Sequence, residues 1–275
     1  MACGRAEFTL THDQRGWPSA AHHAKIQNVN APAIAELSAA GFAAAAGTWA
    51  WGSFLPSSQL FGATIRRTGD PQAMALTFDD GPNPAATPRL LDLLDLHNIH
   101  ATFFLIGGRV RQFPALAARI AAAGHSIGNH TDTHPILTFQ SPRRIQFELE
   151  ACRSAIAGAI GHDPQWMRPP FCARGPHVTV ALHHAGFGAA VMWSAWARDW
   201  KEKTPEGVMR HLRRAGGGDV VLLHDGDYRV PEGKRQHTID ALAIMIPKWK
   251  SAGIRFVTCD QLVSAKKPAP AGAKE

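Results

Sequence analysis

Apolar runs alternate with helical periods along most of this chain, and polar turns separate them. Ala73, Met74, Ala75 and Leu76 form an apolar run that leads into Thr77-Phe78-Asp79-Asp80-Gly81-Pro82. That reads as a buried strand stopped by a Gly-Pro turn. Leu90, Leu91, Leu93 and Leu94 follow Pro88 at helical spacing, which predicts a helix over 88–97 with proline at its start. A second strand is expected over 100–106, rich in Thr and Phe, and an alanine-rich helix over 114–123 that Gly124 closes. Further helices are expected over 143–159 and over 235–252, the latter ending at Gly253. Residues 187–193, 219–223 and 254–258 read as strands. This β-α alternation is the pattern of a parallel sheet, so the fold class is α/β.

At 275 residues the chain can hold one sizeable core, and residues 71–264 are expected to form one catalytic domain. Residues 1–36 read as a polar, disordered leader. They lack the basic start and apolar centre of an ordinary signal peptide, and a misplaced start codon would make them artificial. Residues 37–55 are uncharged and rich in Ala, Gly and Trp. They read either as a membrane anchor of marginal length or as a helix packed on the domain. The Lys-Pro-Ala tail over 265–275 reads as disordered. Net charge is +7, but the basic residues are scattered. This favours an anionic cell envelope as the neighbour, and no nucleic acid is expected as a partner. The four cysteines show no paired spacing, which excludes a disulfide framework or a zinc ribbon. Cys172 lies near the chemistry-bearing segments, but nothing there would lower its pKa enough for a nucleophile.

Chemistry concentrates at the ends of the strands. Adjacent side chains on an extended strand point to opposite sides, so Asp79 and Asp80 need not share a role. Downstream, His130 and His134 stand four apart in His130-Thr131-Asp132-Thr133-His134. With 15 histidines in the chain, about one such pair arises by chance. Taken with Asp80, however, the pair makes the two-imidazole, one-carboxylate set that leaves open positions on a metal. Three more segments accompany it: Arg168-Pro169-Pro170-Phe171, Asp199-Trp200 after Trp193 and Trp196, and Leu222-Leu223-His224 at the end of an apolar run.

Those five segments, in that order, resemble the signature of the polysaccharide deacetylases with a NodB-like homology domain (carbohydrate esterase family four). The resemblance spans roughly residues 73–262. It implies a deformed (β/α) barrel of about seven strands with its groove at the C-terminal rim. It also implies roles: Asp79 as catalytic base, Asp80, His130 and His134 as ligands of one divalent metal, and Arg168 as the residue orienting the base. Phe171 corresponds to the position whose backbone N–H holds the oxyanion. Asp199 corresponds to the partner of the catalytic His224, the general acid, and Trp200 to a groove wall. Three positions depart from the pattern: Phe171 replaces a usual Tyr, Cys172 a usual Gly, and Trp196 a usual Asp.

The implied activity is metal-dependent removal of N-acetyl, or O-acetyl, groups from a cell-envelope or other polysaccharide. The donor set suits zinc first, with cobalt or nickel also accepted. The implied location is the bacterial envelope, on the periplasmic side, with inner-membrane attachment if 37–55 is an anchor. A deacetylase or deformylase of a lipid-linked sugar would use the same residues. A non-catalytic carbohydrate-binding relative would have lost some of them, whereas a two-metal phosphoesterase would want more carboxylates. The particular glycan, the metal and the oligomeric state stay open at this level.

Overall fold

The computed structural model describes residues 31–262, so the expectations for residues 1–30 and for the 265–275 tail lie outside the described residues. The chain divides into two compact units, 1–46 and 47–275. Helix α1 (Ala31–Phe54) begins inside the stretch read as leader, and its last turns belong to the second unit. Alanine-rich sequence favours the helix, and Pro56 follows its end. Among the described residues no helix is long and apolar enough to cross a membrane. Of the two readings of 37–55, a membrane-spanning anchor is therefore not found among them.

In the second unit the central strand is β2 (Ala73–Gly81), buried along its whole length. A strand flanked on both sides and covered on both faces must read as a near-continuous apolar run, as this one does. It pairs in parallel with β3 (Thr102–Leu105) and β8 (Val220–His224), and at its start with β9 (Arg255–Phe256). Beyond β3 lie β4 (Ser126–Asn129) and β5 (Trp166–Met167), and beyond β8 lies β7 (Ala195–Trp196). A separate parallel pair joins β1 (Thr64–Ile65) to β6 (Ala190–Val191). The seven-stranded sheet with its outlying pair is a deformed (β/α) barrel. Because the pairing is parallel throughout, all strand tips reach one rim, where such folds keep their chemistry.

The helices cover the outside. They are α2 (Thr87–Leu96), α3 (Gly107–Gln112), α4 (Pro114–Ala122), α5 (Pro142–Ile160), α6 (Pro176–His184), α7 (Pro205–Leu212) and α8 (Gln236–Ser251). Leu90, Leu94, Ile120, Ile156, Leu242 and Ile246 pack on the outer face of the sheet. Inside the barrel the side chains are small (Ala73, Ala75, Val191, Val220), leaving room for Phe104.

Two expected strands are shorter than their apolar runs. Residues 187–193 pair only at Ala190–Val191, and 254–258 only at Arg255–Phe256. Strand β4 escapes the apolar pattern because it carries Gly128. A Cβ there would lie 2.4 Å from the Phe104 ring, so the close approach of two strands requires glycine.

Phe103 is fully buried, stacked on Phe78 at 5.1 Å and edge-on to His125 at 5.2 Å. Phe103→Ala is expected to cost about 3–5 kcal/mol of stability, read as a lowered urea midpoint at unchanged slope.

Candidate active site

The site begins at the tip of β2. Asp79 stands in register with Phe104 on one side and His224 on the other. The register then shifts, and Asp80 takes a left-handed φ of 73°. Regular alternation would send these two carboxylates to opposite sides of the sheet. The bulge overrides it, and both line the same cleft. The turn closes only with glycines: a Cβ on Gly81 would meet the Asp225 carboxylate at 2.3 Å, and one on Gly226 the Asp80 carbonyl at 2.2 Å.

His130 follows β4 and His134 follows a turn in which Thr131 and His134 are left-handed, with φ of 66° and 61°. His130 Nδ1 lies 2.6 Å from the Arg168 carbonyl, which can only accept. The proton therefore sits on Nδ1, and Nε2 offers a lone pair. That Nε2 is 3.5 Å from Asp80 Oδ1, and His134 Nε2 is 3.2 Å from the same oxygen. Ligands about 2.0–2.2 Å from a tetrahedral zinc stand roughly 3.3 Å apart, so the spacing fits a shared cation. Ligand atoms of all three residues lie within 4.8 Å of one another. Asp80 Oδ1 is buried without a hydrogen-bond donor, an orphan that a cation would satisfy. Burial pushes the Asp80 carboxyl up, but His130 and His134 outweigh it and hold the group well below the usual carboxylate range. Burial likewise lowers His134, keeping its imidazole neutral and able to ligate.

The base and acid positions flank this triad. Asp79 Oδ1 accepts from Arg168 Nη1 at 2.8 Å, while Oδ2 faces His130 Nε2 at 3.7 Å. His224 Nδ1 is 2.8 Å from Asp199 Oδ1. Asp199 is fully buried and also accepts from the His224 backbone N–H and the Thr238 hydroxyl. Burial works against the imidazolium, but the Asp199 charge and hydrogen bond overcome it and push His224 up to about 9. Phe171 lines the cleft with φ 55° and packs edge-on to His134 at 4.8 Å. Trp200 packs edge-on to His224 at 5.3 Å and leans on Trp196 at 5.5 Å. The cleft they enclose measures about 770 Å³. All nine residues expected at the site therefore converge on one rim, with Arg168 and Asp199 just behind the cleft wall.

Residues 66–190 match the profile of the polysaccharide deacetylase family. A peptidoglycan-N-acetylglucosamine deacetylase of Bacillus cereus is 36% identical over 197 residues, covering 70% of this chain and 89% of that one. The chain belongs to the polysaccharide deacetylase family. A chitooligosaccharide deacetylase of Bradyrhizobium sp. is 37% identical over 217 residues, covering 73% of this chain and 96% of that one. Among solved structures, the Bc1960 peptidoglycan N-acetylglucosamine deacetylase superposes with a TM-score of 0.66 at 33% identity, over 72% of this chain and 92% of that one. Enzymes of this family are metal-dependent hydrolases.

In this deacetylase the departures from the family pattern have local accounts. Cys172 takes φ 63°, a conformation in which glycine is unstrained, which explains why glycine is usual there. Burial pushes its thiol up to about 11, so it is no nucleophile. Trp196 leaves His224 to Asp199 alone and adds an exposed wall to the cleft.

Several supporting residues carry no sequence signal. Tyr228 stacks on His134 with ring centroids 4.3 Å apart. Glu148 projects from the middle of α5, where a single acid looks like any solvated one. It is nevertheless fully buried. Its Oε2 accepts the N–H groups of Asp132 and Thr133, at 2.9 and 2.8 Å, between His130 and His134. Its Oε1 accepts from the Thr133 hydroxyl and from Arg144. Asp132 in turn receives both Arg111 nitrogens, at 2.7 and 2.9 Å. The left-handed turn that aims the two imidazoles is held by this clamp. Glu148→Ala is expected to weaken divalent-cation affinity by about 10–100-fold in calorimetric titration, and Glu148→Gln, which keeps an acceptor for both N–H groups, by much less. Equal affinities for all three proteins would show that the turn supports itself.

Proposed function

We propose that this protein hydrolyses N-acetyl groups from hexosamine units of a cell-envelope glycan, using one divalent cation, zinc first, held by Asp80, His130 and His134. The observation that carries this reading is that the Asp79 carboxylate, the Asp80, His130 and His134 cluster and the Asp199-paired His224 all face one cleft. A relative kept only for carbohydrate binding would have no need of that combination.

A bound cation would supply Lewis acidity, polarising the acyl oxygen and lowering the pKa of water from ~15.7 towards ~7. The chain supplies the rest. Arg168 occupies one oxygen of Asp79 and leaves the other to take the proton of the attacking water. The Phe171 backbone N–H, at the cleft wall, would stabilise the oxyanion, a contribution typically worth about 10²–10³ in rate. With Nδ1 tied to Asp199, His224 presents Nε2 to the cleft and donates its proton to the departing amine. Trp200 and Trp196 present ring faces and edges suited to sugar rings.

Asp79→Asn is expected to lower kcat for acetate release by about 10²–10⁴-fold while leaving calorimetric cation binding in place. Asp80→Ala is expected to lose both. Acetate release by Asp80→Ala that survives chelation would remove the cation from the mechanism.

The acid must be protonated to act, so activity is kept below the His224 pKa and lost as pH rises through about 9. Asp199→Asn removes the charge that raises that pKa. The alkaline limb of the kcat/KM profile is expected to move down towards the ordinary imidazole range near 6.5. An unmoved limb would mean that another group is the acid.

A further inference from the structure

Within the cleft, each lining carboxylate already has a positive or metal-ligating partner. Asp79 pairs with Arg168 at 2.8 Å, Asp80 faces two imidazoles, and Asp227 pairs with Arg235 at 3.1 Å. Two lining guanidiniums are left over. Arg229 lies over the Tyr228 ring at 5.0 Å and has no carboxylate partner among the described residues. Arg66 has no hydrogen-bond or ion-pair partner for its side chain among the described residues, and its Nε is buried. Its neighbour Arg67 differs: that guanidinium is largely exposed and pairs with Asp219 at 3.4 Å.

Arg66 is not a stray surface charge that has folded inward. It directly follows β1, whose Ile65 carbonyl accepts the Met192 N–H at 2.6 Å. This fixes Arg66 beside Trp193 and Ser194 on the cleft wall. Partly desolvating a guanidinium without a partner costs free energy, and such a group is retained where its partner arrives with the ligand. A planar fork of donors matches a carboxylate in bidentate fashion, which an ammonium cannot do.

We propose that Arg66, supported by Arg229, binds a carboxylate carried by the glycan and makes this site selective for acidic over neutral acetylated sugars; the proposal rests on the glycan-deacetylase reading. Oligomers of N-acetylglucosamine alone offer no such group. Strands containing N-acetylmuramic acid offer one on the sugar where no peptide is attached, and where a peptide is amide-linked to that carboxyl the peptide's own carboxylates take its place.

The test is binding to the Asp79→Asn protein loaded with cation, measured by calorimetry, so that turnover is not required. Two probes are compared, each as the free acid and as its methyl ester: peptidoglycan fragments with their peptides, and glycan strands stripped of peptide. Stripped strands are expected to bind about tenfold or more tightly than their esters, with the difference shrinking as salt is added. Adding Arg66→Gln should bring the ratio close to one, and Arg66→Lys should restore only part of it. A preference seen only with peptide-bearing fragments would locate the carboxylate on the peptide. Equal affinity for acid and ester forms of every probe, or a preference untouched by both Arg66→Gln and Arg229→Gln, would overturn the proposal. Acetate release by the unmodified enzyme from the same strands tests the underlying reading separately.

Discussion

The site depends on one buried cation of its own, the guanidinium of Arg168. It is fully buried, and its Nε and Nη2 donate to the carbonyls of Val191 and Met192 at 3.0 and 3.2 Å. Its Nη1 donates to the Thr77 hydroxyl and to Asp79, and its charge lies 4.3 Å above the Phe104 ring. Among the described residues strand β6 is hydrogen-bonded only to β1, so its other edge, at Val191 and the following Met192, would bury unpaired carbonyls. Arg168 satisfies them. The same side chain therefore closes the gap in the barrel and positions Asp79. Its backbone carbonyl also sets the tautomer of His130, so the proposed cation site and the proposed base are positioned through a single residue. Burying such a charge is tolerable because all three guanidinium nitrogens are paired.

The parallel α/β core was legible because strands buried on both faces leave unmistakable apolar runs, as over 73–78 and 220–223. Helices with strong leucine or alanine periods, such as α2 and α4, were legible for the same reason. Strands β4, β5 and β7 were not. Each is two to four residues long, and β4 owes its place to Gly128 slipping past Phe104 rather than to hydrophobicity. The chemistry was legible because its residues sit at strand tips, where polar groups interrupt apolar runs. What the pattern could not show was orientation. Alternation argues for opposed carboxylates at Asp79 and Asp80, and only the bulge between strands of unequal register turns them together.

The supporting layer was invisible for a related reason. Glu148 and Tyr228 act through the tertiary fold, and nothing local distinguishes a buried clamp on α5 from a solvated helix acid. The left-handed backbone at Asp80, Thr131, His134, Phe171 and Cys172 follows the same logic. Non-glycine residues in that region cost of order 1–2 kcal/mol each unless their surroundings over-determine them. Here the surroundings do so: Gly226 lies against Asp80, the Glu148 carboxylate spans the 131–134 turn, and the Cys172 N–H bonds the Pro169 carbonyl. Strain concentrates where the cleft needs side chains turned inward from a rim that would otherwise splay them.

The proposed acid and base owe their separation to the sheet itself. Asp79 and His224 are in-register neighbours on adjacent parallel strands, so their backbones stand one strand spacing apart, about 4.8 Å. Each is then drawn away from the other by its own partner, Asp79 towards Arg168 and His224 towards Asp199. Both side chains line the cleft over the triad while attached to adjacent strands. The two partners also differ in charge: a guanidinium stands beside Asp79, and a carboxylate beside His224 keeps that imidazole cationic. Neither partner faces the substrate, so each can tune its group without competing for the acyl carbon.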